Sequence, residues 1–316
     1  MSVTGIAGPE LGAEPSRQTG RGARGFLGRV RGRSDGLVGI AILAVFTILA
    51  LAPAVFVGPL QGVVTATGKP LDPPSAAHLL GTDQLGRDML NLTVHGARIS
   101  MTIGLMATLI TIVIGSLVGI VSGYVGGVVD NILMRLSDFF LVLPTIVLAL
   151  ILAPIILDII GPEAEFLGIR ATLIVIVVVI GLTSWATTAR VIRSQVLSLK
   201  ERMFVDRARV IGSSSLGIMW RHILPNVVNL IVAQSVLTFA TAVFTETTLA
   251  FIGLGDPNAP SWGEILNSAQ SSGAPGLGAW WYIAPPAVSV VLVVLSFTLV
   301  GGALDSVLNP RLRRRR

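Results

Sequence analysis

Four polar side chains interrupt an otherwise apolar stretch: Gln234, Thr238, Thr241 and Thr245, spaced four, three and four residues apart. That spacing puts them on one face of a helix. Amide and hydroxyl groups in such a stripe can exchange hydrogen bonds with a polar solute moving along the helix. They can equally act as glue between apolar helices, where Thr is frequent. Other reactive groups are sparse. The chain has no cysteine, which excludes disulfides, thiolate metal sites and thiol nucleophiles. Its three histidines, His78, His95 and His222, lie in different loops or on opposite sides of the apolar runs and form no metal-ligand cluster. The single Gly-Lys pair, Gly68-Lys69, runs into Pro70 and is no phosphate-binding loop. Neither a nucleophile triad nor paired carboxylates on one helix are present, so no catalytic role is expected.

The elements that carry these residues are set by hydrophobicity. Of 316 residues, 52% are hydrophobic and 13% charged, with a mean hydropathy of +0.80. So little charge at this length points to the bilayer as solvent. Six stretches lack Asp, Glu, Lys and Arg: 36–57, 99–122, 139–157, 171–189, 227–245 and 283–304. At ~1.5 Å per residue each is long enough to approach or cross a hydrocarbon core of ~30 Å. Helix is expected, because backbone polar groups must be satisfied within the segment. The chain is thus read as all-α, a polytopic membrane protein with six transmembrane helices.

The net charge of +6 and pI of about 10.9 would suit nucleic acid, but the basic residues sit in short segments beside apolar runs. They fall before the first run, between the second and third, between the fourth and fifth, and after the last. Only Lys69, Arg87, Arg98 and Arg170 fall on the other side. The positive-inside rule then places both termini in the cytoplasm. The first run exceeds a ~7–15 residue signal-peptide core and is read as a retained span. Residues 1–34 form a Gly- and Arg-rich tail expected to be disordered. Residues 35–98 carry the first span and an external loop, 99–304 the five-helix core, and 305–316 a basic C-terminus. The terminal arginines serve as topology determinants or grip anionic lipid. Gly115, Gly119 and Gly123 read as a close-packing seam. Arg190 and Arg193 read as snorkelling anchors, with a gate or docking contact as the alternative. Glu246 is either a helix-end residue or a contact for substrate.

The cytoplasmic loop 190–226 is the most informative segment. It reads as a helix, a break at Gly212 and Ser213-Ser214-Ser215, a short helix, and a restart at Pro225. Ala208 and Gly212 would leave one side flat for another protein to approach. Asp206-Arg207-Ala208, Gly212, then His222-Ile223-Leu224-Pro225 resembles the EAA motif of ABC importer permeases: Glu-Ala-Ala, three residues, Gly, nine residues, Ile-x-Leu-Pro. Asp206 replaces Glu, Arg207 replaces Ala and His222 replaces Ile. The external stretch from His78 through Gly81-Thr82-Asp83 to Gly86-Arg87-Asp88 resembles that of dipeptide/oligopeptide/nickel C-type subunits. So do Gly96-Ala97-Arg98, Gly123 through Asp130 and Arg135, Phe251 through Gly255 with Ser261-Trp262-Gly263, and Asn309-Pro310-Arg311. Gly302 stands where that family often has Asp.

The resemblance covers about 35–311 and implies the type I importer permease fold, in the plasma (inner) membrane of a prokaryote. Loop 190–226 would hold the coupling helix, with Asp206, Arg207, Ala208, Gly212, Leu216, His222, Leu224 and Pro225 docking on an ATPase. Gln234, Thr238, Thr241 and Thr245 would line the path. Asp83, Arg87, Asp88, Glu246 and Trp262 would meet substrate or a substrate-binding protein. Partners would be a second permease, two ATPase subunits and that binding protein, with no nucleic acid. ATP and Mg would be bound by the partner ATPases, leaving this chain with no cofactor. Peptides are the expected cargo, with nickel or oligosaccharides as alternatives. A stand-alone ion-coupled carrier is the reading of a different class, and it would want buried ionisable residues in its spans.

Overall fold

The computed structural model describes residues 34–161, 164–166 and 169–308. The expected N-terminal tail, the C-terminal arginines and the Asn309-Pro310-Arg311 motif lie outside them. Among the described residues regular structure is helical, apart from an antiparallel ribbon with two residues per strand, β1 (Glu165–Phe166) and β2 (Ile169–Arg170).

The first apolar run forms α1 (Ser34–Leu51) and a short α2 (Pro53–Val57). The break falls at Ala52, whose backbone leaves the helical region at φ −138°, ψ 58°, because a residue before proline is pushed out of it. Next comes α3 (Met89–Val125), started by the Asp88 carboxylate, which accepts hydrogen bonds from Leu90 N and Asn91 N. Its 37 residues span about 55 Å at 1.5 Å each, so it projects beyond the bilayer. The boundary drawn at 98/99 therefore falls inside a helix.

The run 139–157, expected as one span, is bent. Helices α4 (Gly127–Val142) and α5 (Thr145–Ile160) meet at 93° across Leu143-Pro144. Pro144 removes a donor and Leu143 takes an extended conformation. After the ribbon come α6 (Ala171–Lys200), α7 (Met203–Val210), α8 (Ser215–Ile218), a π-helical turn (Met219–Ile223) and α9 (Leu224–Leu249). A second π turn (Ala250–Leu254), α10 (Trp262–Ser271) and α11 (Trp280–Leu308) complete the chain. Four helical stretches among the described residues are long and apolar enough to span alone: Met89–Val125, Ala171–Lys200, Ser215–Leu254 and Trp280–Leu304. The α4–α5 pair would make a fifth, bent one, and the apolar part of α1 is shorter. The protein is a multi-pass, helical membrane protein.

Helices α3 and α6 form the central seam, and the glycine reading of it holds. A Cβ at Gly115 would lie 2.7 Å from Thr188, at Gly119 2.6 Å from the Ala189 carbonyl, and at Gly123 2.8 Å from Val196. Only hydrogen at these positions lets the two backbones approach so closely.

Candidate functional site

Between the α4–α5 break, α6 and α9 lies a cavity of about 330 Å³. Gln234, Thr238, Thr241 and Thr245 all face it, so the polar stripe is brought to one surface. Opposite them α6 supplies Thr183, Ser184, Thr187 and Thr188. Sequence reading missed this second stripe, although its paired i, i+4 hydroxyls carry the same signal. No Asp, Glu, Lys or Arg lines the cavity.

The hydrogen bonds decide what the walls can offer. Thr241 and Thr245 donate their hydroxyls to the carbonyls of Thr238 and Thr241, both at 2.8 Å, and Thr183 donates to Val179 at 2.8 Å. Their protons are thus occupied while oxygen lone pairs remain able to accept. Gln234 makes no side-chain hydrogen bond among the described residues and keeps both a donor and an acceptor. The result is a neutral, bifunctional lining.

On the cytoplasmic side of the expected topology, α7 is terminated just beyond its last turn by Gly212, whose φ of +81° suits glycine best. Ser213 N then reaches back to Ala208 O at 2.9 Å, and Ser214 caps α8 through Gly217 N. The expected break and cap are present. The restart at Pro225 is not a break: helix runs unbroken from Ser215 to Ile252, and the chain kinks only at Gly253, where φ is +100°. The π turn just before Pro225 widens the ladder where that residue has no N–H to give.

The inner side of this loop is locked to the bundle. Val205, Ala208, Ile218 and Ile223 are buried in a cluster with Ile120 and Tyr124 of α3 and Ile192 and Val196 of α6. Ala208 was expected on the docking surface but faces inward at 2% exposure. Its small side chain serves packing inside this chain. Asp206, Arg207, Gly212, Leu216 and Pro225 are exposed, while His222 and Leu224 are half-buried. Asp206 pairs with Arg209 at 3.1 Å, and Arg209 lies over the Tyr124 ring at 5.8 Å. The outer surface also carries Met203, Val210, Ile211 and Trp220, all exposed. None of these four was singled out from sequence, because a helix too short for a clear period hides which side is out.

Arg193 and Arg190 are not free anchors. Arg193 holds Asp130 through two bonds of 2.6 Å, with Ser122 donating to the same carboxylate. Arg190 pairs with Asp138. Both pairs pin α4 to α6.

At the opposite end, residues expected to touch partners are largely turned inward. Asp83 is fully buried, accepting from Leu85 N, Arg87 N and Arg87 Nε. Asp88 caps α3 and holds His78 at 2.8 Å. The external loop is thereby an ordered network, tied to α11 by Trp281 Nε1 donating to Thr82 O. Trp262 is fully buried. Its indole donates to Thr93 O at 2.9 Å, and its ring meets Phe46 edge-on at 5.7 Å. Glu246 is also fully buried, and its Oε1 has no partner among the described residues. Burial pushes the Glu264 carboxyl above the ordinary range, and nearby Asp256 adds to the push.

Comparison with known proteins gives this architecture a family. Residues 115–314 match the family described as binding-protein-dependent transport system inner membrane component. The chain is similar to the dipeptide transport system permease protein DppC of Bacillus subtilis, 35% identical over 87% of this chain and 83% of that one. It is similar to the oligopeptide transport system permease protein OppC of the same organism, 32% identical over 90% and 88%. The di/tripeptide transport system permease protein DppC of Pseudomonas aeruginosa is 34% identical over 77% of each. A helical, multi-pass chain with these relatives belongs to the binding-protein-dependent transport system inner membrane component family.

Proposed function

We propose that this chain is one of two permease subunits of an ATP-driven importer, and that it passes short peptides delivered by a substrate-binding protein. In this reading it crosses the plasma membrane six times with both termini in the cytoplasm: α1 with α2, α3, the bent α4–α5 pair, α6, α9 and α11. A second permease closes the open side of the hydroxyl-lined cavity. Two ATPase subunits bind ATP and Mg below, and the exposed face from Met203 to Leu216, with Asp206, Arg207, Gly212 and Pro225, docks on one of them. The chain itself does no covalent chemistry.

The observation that carries this reading is continuity between the loop and the cavity. The loop is bound on one side into the α3–α6 cluster and exposes a mixed apolar and charged surface on the other. From it a single helix, Ser215–Ile252, leads directly past Gln234, Thr238, Thr241 and Thr245. Closure of a motor protein around the loop would therefore reach the cavity wall without crossing a flexible joint. Peptide as cargo is favoured by the wall chemistry. Uncharged groups that both donate and accept suit a backbone of amides, and they do not sort side chains by charge. The relatives named for dipeptide and oligopeptide transport support the same choice.

The test is uptake of a labelled dipeptide by liposomes holding the full complex, with binding protein outside and ATP inside. Accumulation should require ATP, the ATPases and the binding protein together. Uptake by this chain alone, driven by an ion gradient, would show a carrier and overturn the proposal.

A further inference from the structure

A second cavity lies on the opposite side of α9 from the hydroxyl-lined one, using Ser235, Val236 and Phe239. It occupies about 580 Å³ between α1, α3, α9 and α11, within the roughly 300–1,000 Å³ range of pockets that hold one ligand. Its walls are mainly apolar, with Leu43, Leu51, Leu105, Leu109 and Phe297 among them. One charged residue, Arg98, lines it. Arg98 is exposed and makes no hydrogen bond or ion pair among the described residues.

The dimensions match half a bilayer. On α3 the groove extends from Arg98 to Leu109, about 16 Å at 1.5 Å per residue. Half of a hydrocarbon core of ~30 Å is about 15 Å. Arg98 is also the last charged residue before the apolar run 99–122, so it stands at headgroup level while Leu109 approaches the midplane. An apolar slot one leaflet deep, with an unpaired guanidinium at its rim, complements a lipid with an anionic head. Lipid tails are as apolar as leucine, so the tail fills the slot without strong preference. Selectivity must come from the head, and one basic group near the membrane surface gives a preference of about fivefold.

We propose that this groove is a binding site for one anionic glycerophospholipid of the outer leaflet, its acyl chain along α3 and its phosphate on Arg98. The choice of leaflet, and only that, rests on the orientation proposed above.

The test is native mass spectrometry of the detergent-purified complete transporter, exposed to equal amounts of phosphatidylglycerol and phosphatidylcholine with identical chains. The wild type should retain phosphatidylglycerol over phosphatidylcholine by about fivefold. Arg98→Gln, an exposed change that leaves the packing intact, should retain the two equally. Leu105→Trp should lose both while the subunits stay assembled. No headgroup preference in the wild type, or the same preference in Arg98→Gln, would overturn the site. So would a crosslink from Leu105→Cys to a helix of the second permease, which would assign the groove to protein. A micelle has no sides, so these results do not depend on orientation. That part is read separately by Arg98→Cys, which an impermeant maleimide should label from outside cells; labelling only from inside would reverse the leaflet.

Discussion

Val210 and Ile211 stand 87% and 80% exposed at the end of α7, outside the cluster that holds the loop to the bundle. Exposed apolar side chains on a charged loop are expected to be covered by a partner. Burying one such side chain fully is worth about 1.5–3 kcal/mol. Taking the lower figure for each, because docking also costs side-chain ordering, gives about 3 kcal/mol for the two. Replacing both by Ser should thus weaken ATPase binding by roughly 150-fold. The measurement is calorimetric titration of purified ATPase into permease pairs held in nanodiscs, followed by dipeptide uptake at matched incorporation. Neither residue supports the fold, so thermal unfolding of the permease pair should not change. Val205→Ser supplies the contrast. That side chain is fully buried on the inner face, and its loss should cost stability by about 1–3 kcal/mol, leaving a hydroxyl in an apolar cluster. A Val210→Ser/Ile211→Ser protein that binds the ATPase within threefold of wild type would refute the assignment of this face.

Other parts of the structure give independent expectations. Gly119→Leu should open the α3–α6 seam and destabilise the assembly by at least about 1–3 kcal/mol; an unchanged melting temperature in detergent would count against that close approach. Asp130→Asn and Arg193→Gln should each lower stability, and a double-mutant cycle should give a coupling of about 1–2 kcal/mol, discounted because both side chains are partly exposed. A coupling near zero would mean that the bidentate pair does not hold α4 to α6. Gln234→Leu together with Thr241→Leu should reduce peptide uptake about tenfold with assembly intact, since depriving the peptide of each hydrogen-bonding partner costs about 1 kcal/mol or somewhat less. Normal uptake kinetics would remove these residues from the path.

Apolar runs were legible because absence of charge is a strong signal, and the stripe on α9 because its period is helical. The α4–α5 break was not, although Pro144 marks it. Proline alone does not discriminate: Pro154 sits inside α5, and Pro285 and Pro286 inside α11, without ending either helix. Whether a proline kinks a buried helix depends on which neighbours satisfy the freed carbonyl, and that is tertiary information. The same holds for Arg193, whose partner Asp130 lies 63 positions away. Ala208 misled because a small residue permits close approach from either side, and only the position of α3 and α6 decides which. Asp83 and Trp262, expected at a contact surface, turned out to be fully buried. Their motif residues shape the external segment from within.

The unbroken helix from Ser215 to Ile252 has a mechanical consequence. Over that length it forms a rod of about 57 Å, so a tilt of about 10° at one end displaces the other by about 10 Å. In the proposed topology, a small rotation imposed on the cytoplasmic side would therefore be amplified with distance. In the proposed orientation the widest excursion falls beyond the glutamine and threonines, at Glu246 and the turn that follows it, where the outer mouth would have to part.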